Sequence, residues 1–226
     1  MNKAKTQALL SGVKQVYNEI AAEFSETRKY NWREFKDFVK NVNKGDKILD
    51  VGCGNGRISQ LFPSPDYDYT GVDNAENFIA IAKKLHNEAE FIVADIQDLP
   101  FKNKKFDHVF NIAVLHHLPD EESRSRGLKE MNRVLKDGGH LYLMVWNLLE
   151  QKKYAQEVKN AKERAKNSDK SIATSPRDLI IPWGDQKLPR YYYAFKQEEL
   201  IGLVKKAGFD IIDSKKDKNI ILICKK

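Results

Sequence analysis

The residues best suited to chemistry open the run DVGCGNGR at positions 50–57. Glycines at 52, 54 and 56 let the chain turn sharply and let a ligand lie against bare backbone, and a helix starting after the turn offers free N–H groups. The spacing is GxGxG, not the GxGxxG of dinucleotide-binding turns, and no Lys-Ser/Thr pair follows as a phosphate loop requires. A diphosphate ligand, and with it a dehydrogenase, is therefore disfavoured. Asp73 stands 17 residues after Gly56 at the end of a second strand-like run, where a carboxylate can accept from two ribose hydroxyls. Asp95 ends a third such run and offers an acceptor for an exocyclic amine. One such aspartate alone would be read as a cap on a turn. Three successive strand ends carrying Asp50 with its glycines, Asp73 and Asp95 point to one shared ligand.

The elements that must position these residues follow from periodicity. Leu9, Leu10, Val13, Val16, Tyr17, Ile20 and Phe24 recur at helical spacing, and a second helical stretch gathers Trp32, Phe35, Phe38 and Val39. From Gly45 onward, strand-like runs at 47–51, 69–72, 90–94, 106–112 and 140–146 alternate with helical segments near 75–87 and 120–136, the latter stopped by Gly138-Gly139. Such alternation predicts a parallel sheet with right-handed crossovers. Residues 148–190 interrupt it with a helix-prone charged half and a half punctuated by Pro, Gly and Ser. A helix near 196–207 and two strands at 210–216 and 219–225 follow, and the short turn between those strands demands an antiparallel pair. The expected organisation is a single domain over 1–226: an N-terminal helical cap (1–44), a ligand-binding core (46–147), a basic insertion (148–190) and a C-terminal helix and hairpin (191–226).

Composition narrows the setting. The net charge of +7 favours polyanionic partners, and residues 152–170 concentrate seven Lys/Arg against three Asp/Glu. Taken alone, that segment reads equally as a solvated face. No apolar run approaches bilayer-spanning length, and the N-terminus has no signal-peptide core, so a cytoplasmic protein without a membrane is expected. Cys53 and Cys224 cannot by themselves build a disulfide framework or a zinc site, so no metal is expected.

The runs ILDVGCGNGR, GVD, VADIQDLPF, FDHVFNIAVLHHL and EMNRVLKDGGHLYL, in that order over about residues 46–146, resemble the successive motifs of the class I S-adenosylmethionine-dependent methyltransferases. The resemblance implies a Rossmann-like α/β fold, a seven-stranded, mostly parallel sheet ending in an antiparallel hairpin. It also implies S-adenosylmethionine as cofactor. By that resemblance Gly52, Gly54 and Gly56 face the methionine part of the cofactor, with Asp50 and Cys53 in the same turn. Asp73, with Asn74, holds the ribose hydroxyls; Asp95 and Ile96 border the adenine; Asn111 and Ala113 line the cofactor and substrate side.

The fold serves many acceptors, so the acceptor must be read elsewhere. The Asn/Asp-Pro-Pro-aromatic tetrapeptide of amine and amide methylation is absent, NIAV standing in its place, and no cysteine is placed to attack a pyrimidine. The stretches YNEIAAEFSETRKYNW (17–32), AVLHHL (113–118), IIPW (180–183) and RYYYAF (190–195) resemble the tRNA methyltransferases that esterify 5-carboxymethyluridine at the wobble position. The chain departs from that subfamily in lacking a proline soon after Arg28 and in carrying Tyr193 where a histidine is usual. A guanidinium grips a carboxylate at two points, so Arg28 and Arg190, with His116 or His117, are the expected carboxylate pocket. Tyr191 and Tyr192 are expected to stack on the uracil or its neighbours. Lys152, Lys153, Lys159, Lys162, Arg164 and Lys166 are expected to meet the phosphates of a tRNA anticodon stem-loop. The resemblance further implies a small zinc-binding activator subunit over an apolar sheet edge, with strand 90–94 as that edge. Two rival readings remain open: a small-molecule methyltransferase acting on a quinone or phenol, and a non-catalytic RNA-binding subunit that keeps the fold.

Overall fold

The computed structural model describes residues 2–28, 35–166 and 175–226. Residues 29–34, with Trp32 and the end of the 17–32 stretch, and residues 167–174 of the basic insertion lie outside the described residues. In chain order the elements begin with α1 (Lys3–Glu26), α2 (Phe35–Val39), β1 (Lys47–Val51), β2 (Asp68–Asp73), α3 (Glu76–Leu85) and β3 (Glu90–Val93). Next come β4 (Phe106–Ile112), α4 (Glu121–Val134), β5 (Leu135–Trp146), α5 (Ala155–Lys166), β6 (Asp178–Trp183) and β7 (Leu188–Tyr193). The chain closes with α6 (Gln197–Lys206), β8 (Asp210–Lys216) and β9 (Asn219–Lys225).

Seven strands form one sheet in the order β3-β2-β1-β4-β5-β9-β8, while β6 and β7 pair separately as an antiparallel ribbon. Strands β1 to β5 run parallel, and β9 lies antiparallel between β5 and β8. Successive side chains of a strand point to opposite faces, so the central strands supply two cores at once. Leu49, Val51, Val109, Leu141, Leu143 and Val145 pack against Leu128 and Met131 of α4 and Leu200 and Val204 of α6. Ile48, Phe110, Ile112, Tyr142 and Met144 pack on the other face against Phe35 and Phe38 of α2 and Ile79 of α3. The apolar run of β1 and that of the second half of β5, residues 141–146, are what a strand covered on both faces requires.

Helix α1 starts at Asn2, whose side chain accepts from the Lys5 N–H at 2.9 Å. Its apolar residues divide between two duties. Leu9, Val16 and Ile20 are buried, whereas Leu10, Val13, Tyr17 and Phe24 look onto the cavity described below.

Three local expectations are corrected. The glycine turn leads into a short 3-10 turn, Arg57–Leu61, rather than an α-helix. Helix α4 ends at Val134, not at Gly138-Gly139, because Leu135 already pairs with Phe106 at the start of β5. The glycines instead serve an irregularity inside that strand, where a Cβ on Gly139 would lie 2.8 Å from the Asp107 carbonyl oxygen. The punctuated half of the insertion is the β6–β7 ribbon, which also runs through the boundary expected at 190. Its Pro182 and Pro189 face each other, and a two-stranded ribbon tolerates them because both its strands are edges.

Asp178 anchors this ribbon: it accepts from the Ser175 N–H at 2.8 Å and from the Tyr191 hydroxyl at 2.6 Å. Asp178→Ala removes the carboxylate acceptor of the buried Tyr191 hydroxyl, leaving it only the Pro119 carbonyl at 3.2 Å, and is expected to destabilise the ribbon by about 1–3 kcal/mol. Hydrogen exchange across residues 178–193, faster in the variant than elsewhere in the chain, is the check.

Candidate active site

The C-terminal ends of β1, β2 and β4 open onto one cavity, the place where parallel α/β sheets bind ligands. The glycine turn forms its floor. Gly52 takes φ +82°, and a Cβ there would sit 2.2 Å from Val114 Cγ2, so only glycine fits. Gly54 differs: a Cβ there would meet nothing within 4 Å, which makes it the exposed backbone on which a ligand can lie. Gly56 does not line the cavity but backs onto the Phe91 ring.

Asp73 and Asn74 border the cavity from the end of β2. The Asp73 carboxylate accepts from the Ala75 N–H at 2.9 Å and the Gly54 N–H at 3.0 Å. Burial raises its pKa, and these backbone donors oppose the rise. Each carboxylate oxygen keeps accepting capacity beyond these bonds. Ala94, Ile96 and Leu118 supply an apolar wall beside it. Cys53 also lines the cavity, with its thiol pushed far up by burial, so it offers no thiolate for covalent attack.

Other expected cofactor residues fall elsewhere. Asp95 is exposed and accepts from the Gln97 N–H at 2.8 Å; it caps its turn, outside the cavity lining. Asn111 is fully buried and donates to the Val51 carbonyl at 3.0 Å, tying β4 to β1 beneath the cavity that Ala113 lines. Asp50 is likewise buried under the turn, accepting from the Tyr69 hydroxyl at 2.7 Å, because alternation sends it to the opposite face from the cavity.

The acceptor side is built by α1, the turn after β4, and the ribbon. His116 and His117 divide the work. His116 is buried without exposure against Trp146 and Tyr192, outside the lining, and burial with the neighbouring His117 holds it neutral. His117 lines the cavity, 2.9 Å from the Tyr191 carbonyl through Nδ1 and 3.0 Å from the Tyr17 hydroxyl through Nε2. Burial lowers its pKa to about 4, the Arg190 charge adding to the effect. Tyr191 does not reach the cavity: it is core, held by Asp178. Tyr192 lines it, with its hydroxyl 3.1 Å from that of Tyr17.

Three guanidiniums gather at this end. Arg28 lines the cavity, lying 5.0 Å from the Phe24 ring centroid and 5.9 Å from that of Trp183. Arg57 lines it too, its pKa lowered to about 10 by burial and then by the Arg28 charge. Arg190 stands one layer back, behind Tyr17 and Tyr192, with its guanidinium 4.6 Å from the Trp183 ring and 5.3 Å from the Tyr192 ring. Its Nε and Nη1 are buried with no hydrogen-bond partner among the described residues. Tyr17 and Arg57 were not singled out in the sequence: Tyr17 was absorbed into a helical apolar stripe, and Arg57 into a glycine motif.

The basic insertion lies apart from the cavity. Lys152, Lys153, Lys159, Lys162 and Lys166 are exposed, on or just before α5, which packs on β6. Arg164 is half-buried and donates to the Asp178 carbonyl at 3.1 Å.

Comparison with known proteins agrees with this arrangement. Residues 49–143 match a methyltransferase domain family. A protein of Encephalitozoon cuniculi named "Putative methyltransferase" is 35% identical over 89% of this chain and 88% of its own. A tRNA (carboxymethyluridine(34)-5-O)-methyltransferase of Schizosaccharomyces pombe is 29% identical over 92% of both chains. Among solved structures, an S-adenosylmethionine-dependent methyltransferase of Methanosarcina mazei superposes with a TM-score of 0.72 at 25% identity, covering 87% of this chain and 98% of that one. A Haloferax volcanii methyltransferase homologue solved with a methyltransferase activator shares the fold, with a TM-score of 0.66 at 17% identity over 94% of this chain and 96% of that one. The chain belongs to the class I S-adenosylmethionine-dependent methyltransferases.

The cavity of this methyltransferase fits that cofactor. Bare backbone at Gly54, a carboxylate with spare acceptor capacity at Asp73, and the apolar wall at Ala94, Ile96 and Leu118 match an amino-acid moiety, a ribose diol and a flat base. Among the described residues no cluster of side chains suited to a metal ion is present, and no helix is long and apolar enough to cross a membrane.

Asp50 gives the methyltransferase a measurable pH signature. Burial raises its pKa to about 7, Tyr69 opposing the rise and the Asp73 charge adding to it, against about 4 for an unfolded aspartate. Folding therefore favours the protonated acid. The contribution of Asp50 to stability is fully present below pH 4 and is lost as pH rises to about 7, a total on the order of 4 kcal/mol, while the buried neutral His116 and His117 act with the opposite sign as pH falls. Urea unfolding at pH 4 and pH 8 is expected to show Asp50→Asn gaining stability relative to the native protein at the higher pH, the difference between the two proteins isolating the Asp50 contribution.

Proposed function

We propose that this methyltransferase esterifies the carboxylate of 5-carboxymethyluridine at the wobble position of tRNA. The observation that carries the reading is Arg190, a buried guanidinium with two nitrogens lacking a hydrogen-bond partner among the described residues, behind the end of the cavity where Arg28 and Arg57 gather. Burying a cation without a counter-charge is unfavourable by several kcal/mol, and an incoming anion relieves it. The name of the Schizosaccharomyces pombe relative supports the same acceptor.

Bound S-adenosylmethionine supplies a methyl group made electrophilic by its sulfonium. The chain's own task is placement. Gly54 and Asp73 orient the donor, Arg28 at the cavity wall holds the carboxylate by charge-assisted contacts, and Arg190 adds its charge from behind Tyr17 and Tyr192. A carboxylate is ionised at neutral pH, so no residue has to remove a proton. His117, neutral with its pKa near 4, suits a contact rather than an acid or base role. A phenol-type acceptor would instead need a base.

The lysines on and near α5 are proposed to meet the anticodon stem-loop, since they form an exposed basic face on the ribbon that carries Arg190. Strand β3 is the sheet's edge, with Val93 45% and Leu85 59% exposed beside it, which supports a small zinc-binding activator as partner there. The cytosol is the proposed setting, in keeping with the two free, buried thiols Cys53 and Cys224. Co-expression with such an activator is expected to raise solubility and activity over the chain alone.

Mass spectrometry of tRNA nucleosides after incubation with labelled methyl donor tests the acceptor. Arg190→Ala is expected to lower methyl-ester formation at least 100-fold while calorimetry finds donor affinity within about twofold. Arg28→Lys, at the guanidinium that lines the cavity, should retain little activity, because an ammonium cannot make the two-point fork. Loss of donor binding together with activity would overturn the assignment. Charge reversal at Lys152, Lys159 and Lys162 should weaken tRNA binding and make its logarithmic salt slope shallower by about 2–3.

A further inference from the structure

The wall between Arg190 and the cavity is made of hydroxyls, and its protons can be counted. The Tyr191 carbonyl can only accept, so His117 Nδ1, 2.9 Å away, carries the ring hydrogen and donates it. A neutral imidazole then has Nε2 as a bare acceptor, which takes the single Tyr17 proton across 3.0 Å. With that proton committed, the Tyr17–Tyr192 contact at 3.1 Å has only one direction: Tyr192 donates and Tyr17 accepts. The chain of donors therefore runs Tyr192, Tyr17, His117, Tyr191 carbonyl. Tyr17 faces Arg190, whose charge acts on its oxygen, with lone-pair density and not with a proton. Tyr17 comes from α1, whereas its partners lie 100 and 175 residues further along the chain.

We propose that Tyr17 is the positioning and specificity-determining residue of the acceptor site: it occupies the one basic lone pair of His117 and presents an oxygen to Arg190. The consequence is chemical. With Nε2 taken, His117 has no lone pair left to receive a proton from the acceptor, so the site favours an oxygen that arrives ionised over hydroxyl and amine acceptors that must lose a proton. This rests on the reading that the acceptor is a carboxylate and names the residue that enforces it. The groups facing His117 are Tyr17 from α1, Tyr191, Tyr192 and Arg190 from β7, and His116 from its own turn, with Asp73 acting on Tyr17 across the cavity.

Nitrogen NMR of histidine-labelled full-length protein tests the first half without any substrate. The His117 ring is expected as the neutral Nδ1–H tautomer throughout pH 5–8. In Tyr17→Phe the tautomer should persist, fixed by the Tyr191 carbonyl, but its titration should move up by about one pH unit as Nε2 loses its donor. Tyr192→Phe, which leaves the Tyr17 proton on Nε2, should shift it far less. An Nε2–H tautomer in the native protein, or equal shifts in the two variants, would overturn the proposal. Kinetics test the second half: Tyr17→Phe should lower kcat/KM for carboxymethyluridine tRNA about tenfold, chiefly through KM, with donor affinity unchanged. If the native protein methylates no carboxymethyluridine while the NMR result holds, the acceptor assignment fails and the role of Tyr17 as the His117 donor stands.

Discussion

A positive charge kept out of water, with no anion beside it among the described residues, is the constraint around which this molecule's acceptor side is arranged. Two aromatic faces, those of Trp183 and Tyr192, carry the Arg190 guanidinium. Cation–π contact of this kind contributes about 0.5–2 kcal/mol, less than the several kcal/mol that an unpaired buried charge costs. The remainder has to come from the fold. Leu148, Tyr154, Ala161, Leu179, Ile181, Tyr192 and Ala194 form a small apolar cluster between α5 and the ribbon, and the Asp178–Tyr191 bond locks the ribbon's register. The basic helix thus has a structural duty beneath its charged face: its buried side holds the ribbon in place.

The cofactor half and the acceptor half are built by different means. Parallel strands bring the ends of β1, β2 and β4 together by topology, so Gly54, Asp73 and Ala113 meet without needing any insertion. The acceptor half is added around that rim by α1, by the turn bearing His117, and by β7. The two halves share few side chains, and substitutions deep in the ribbon act on the acceptor while leaving the donor cradle intact.

Much of this was legible in the sequence where one physical demand acted alone. Strands covered on both faces had to be apolar runs, and a chain bending against a ligand had to use glycine, so the strand runs and the glycine turn could be read directly, while their joining into one seven-stranded sheet came from the family resemblance. Legibility failed where two demands shared a residue. Asp50 and Asn111 sit in motif runs, but strand alternation turns them into the interior as tethers. The adjacent His116 and His117 point in different directions on a 3-10 turn, which no spacing rule distinguishes. Tyr191 and Tyr192 likewise alternate, one into the core and one onto the cavity. The prolines at 182 and 189, read only as punctuation of the insertion, are opposed in a ribbon that has no interior strand.

Tyr17 illustrates the deepest of these limits. Helical periodicity assigned it to an apolar stripe, and its ring does pack against Phe24 and Phe78. Only its hydroxyl acts in the site, and the meaning of that hydroxyl depends on which atom of His117 holds a hydrogen. That in turn is decided by a backbone carbonyl on β7, a group common to every residue and silent in any sequence. The direction of the proton chain is thus set by main-chain geometry, and the side chains only propagate it. A site that selects its acceptor by the absence of an available lone pair is invisible to motif reading, because the selecting feature is the way two ordinary residues satisfy each other.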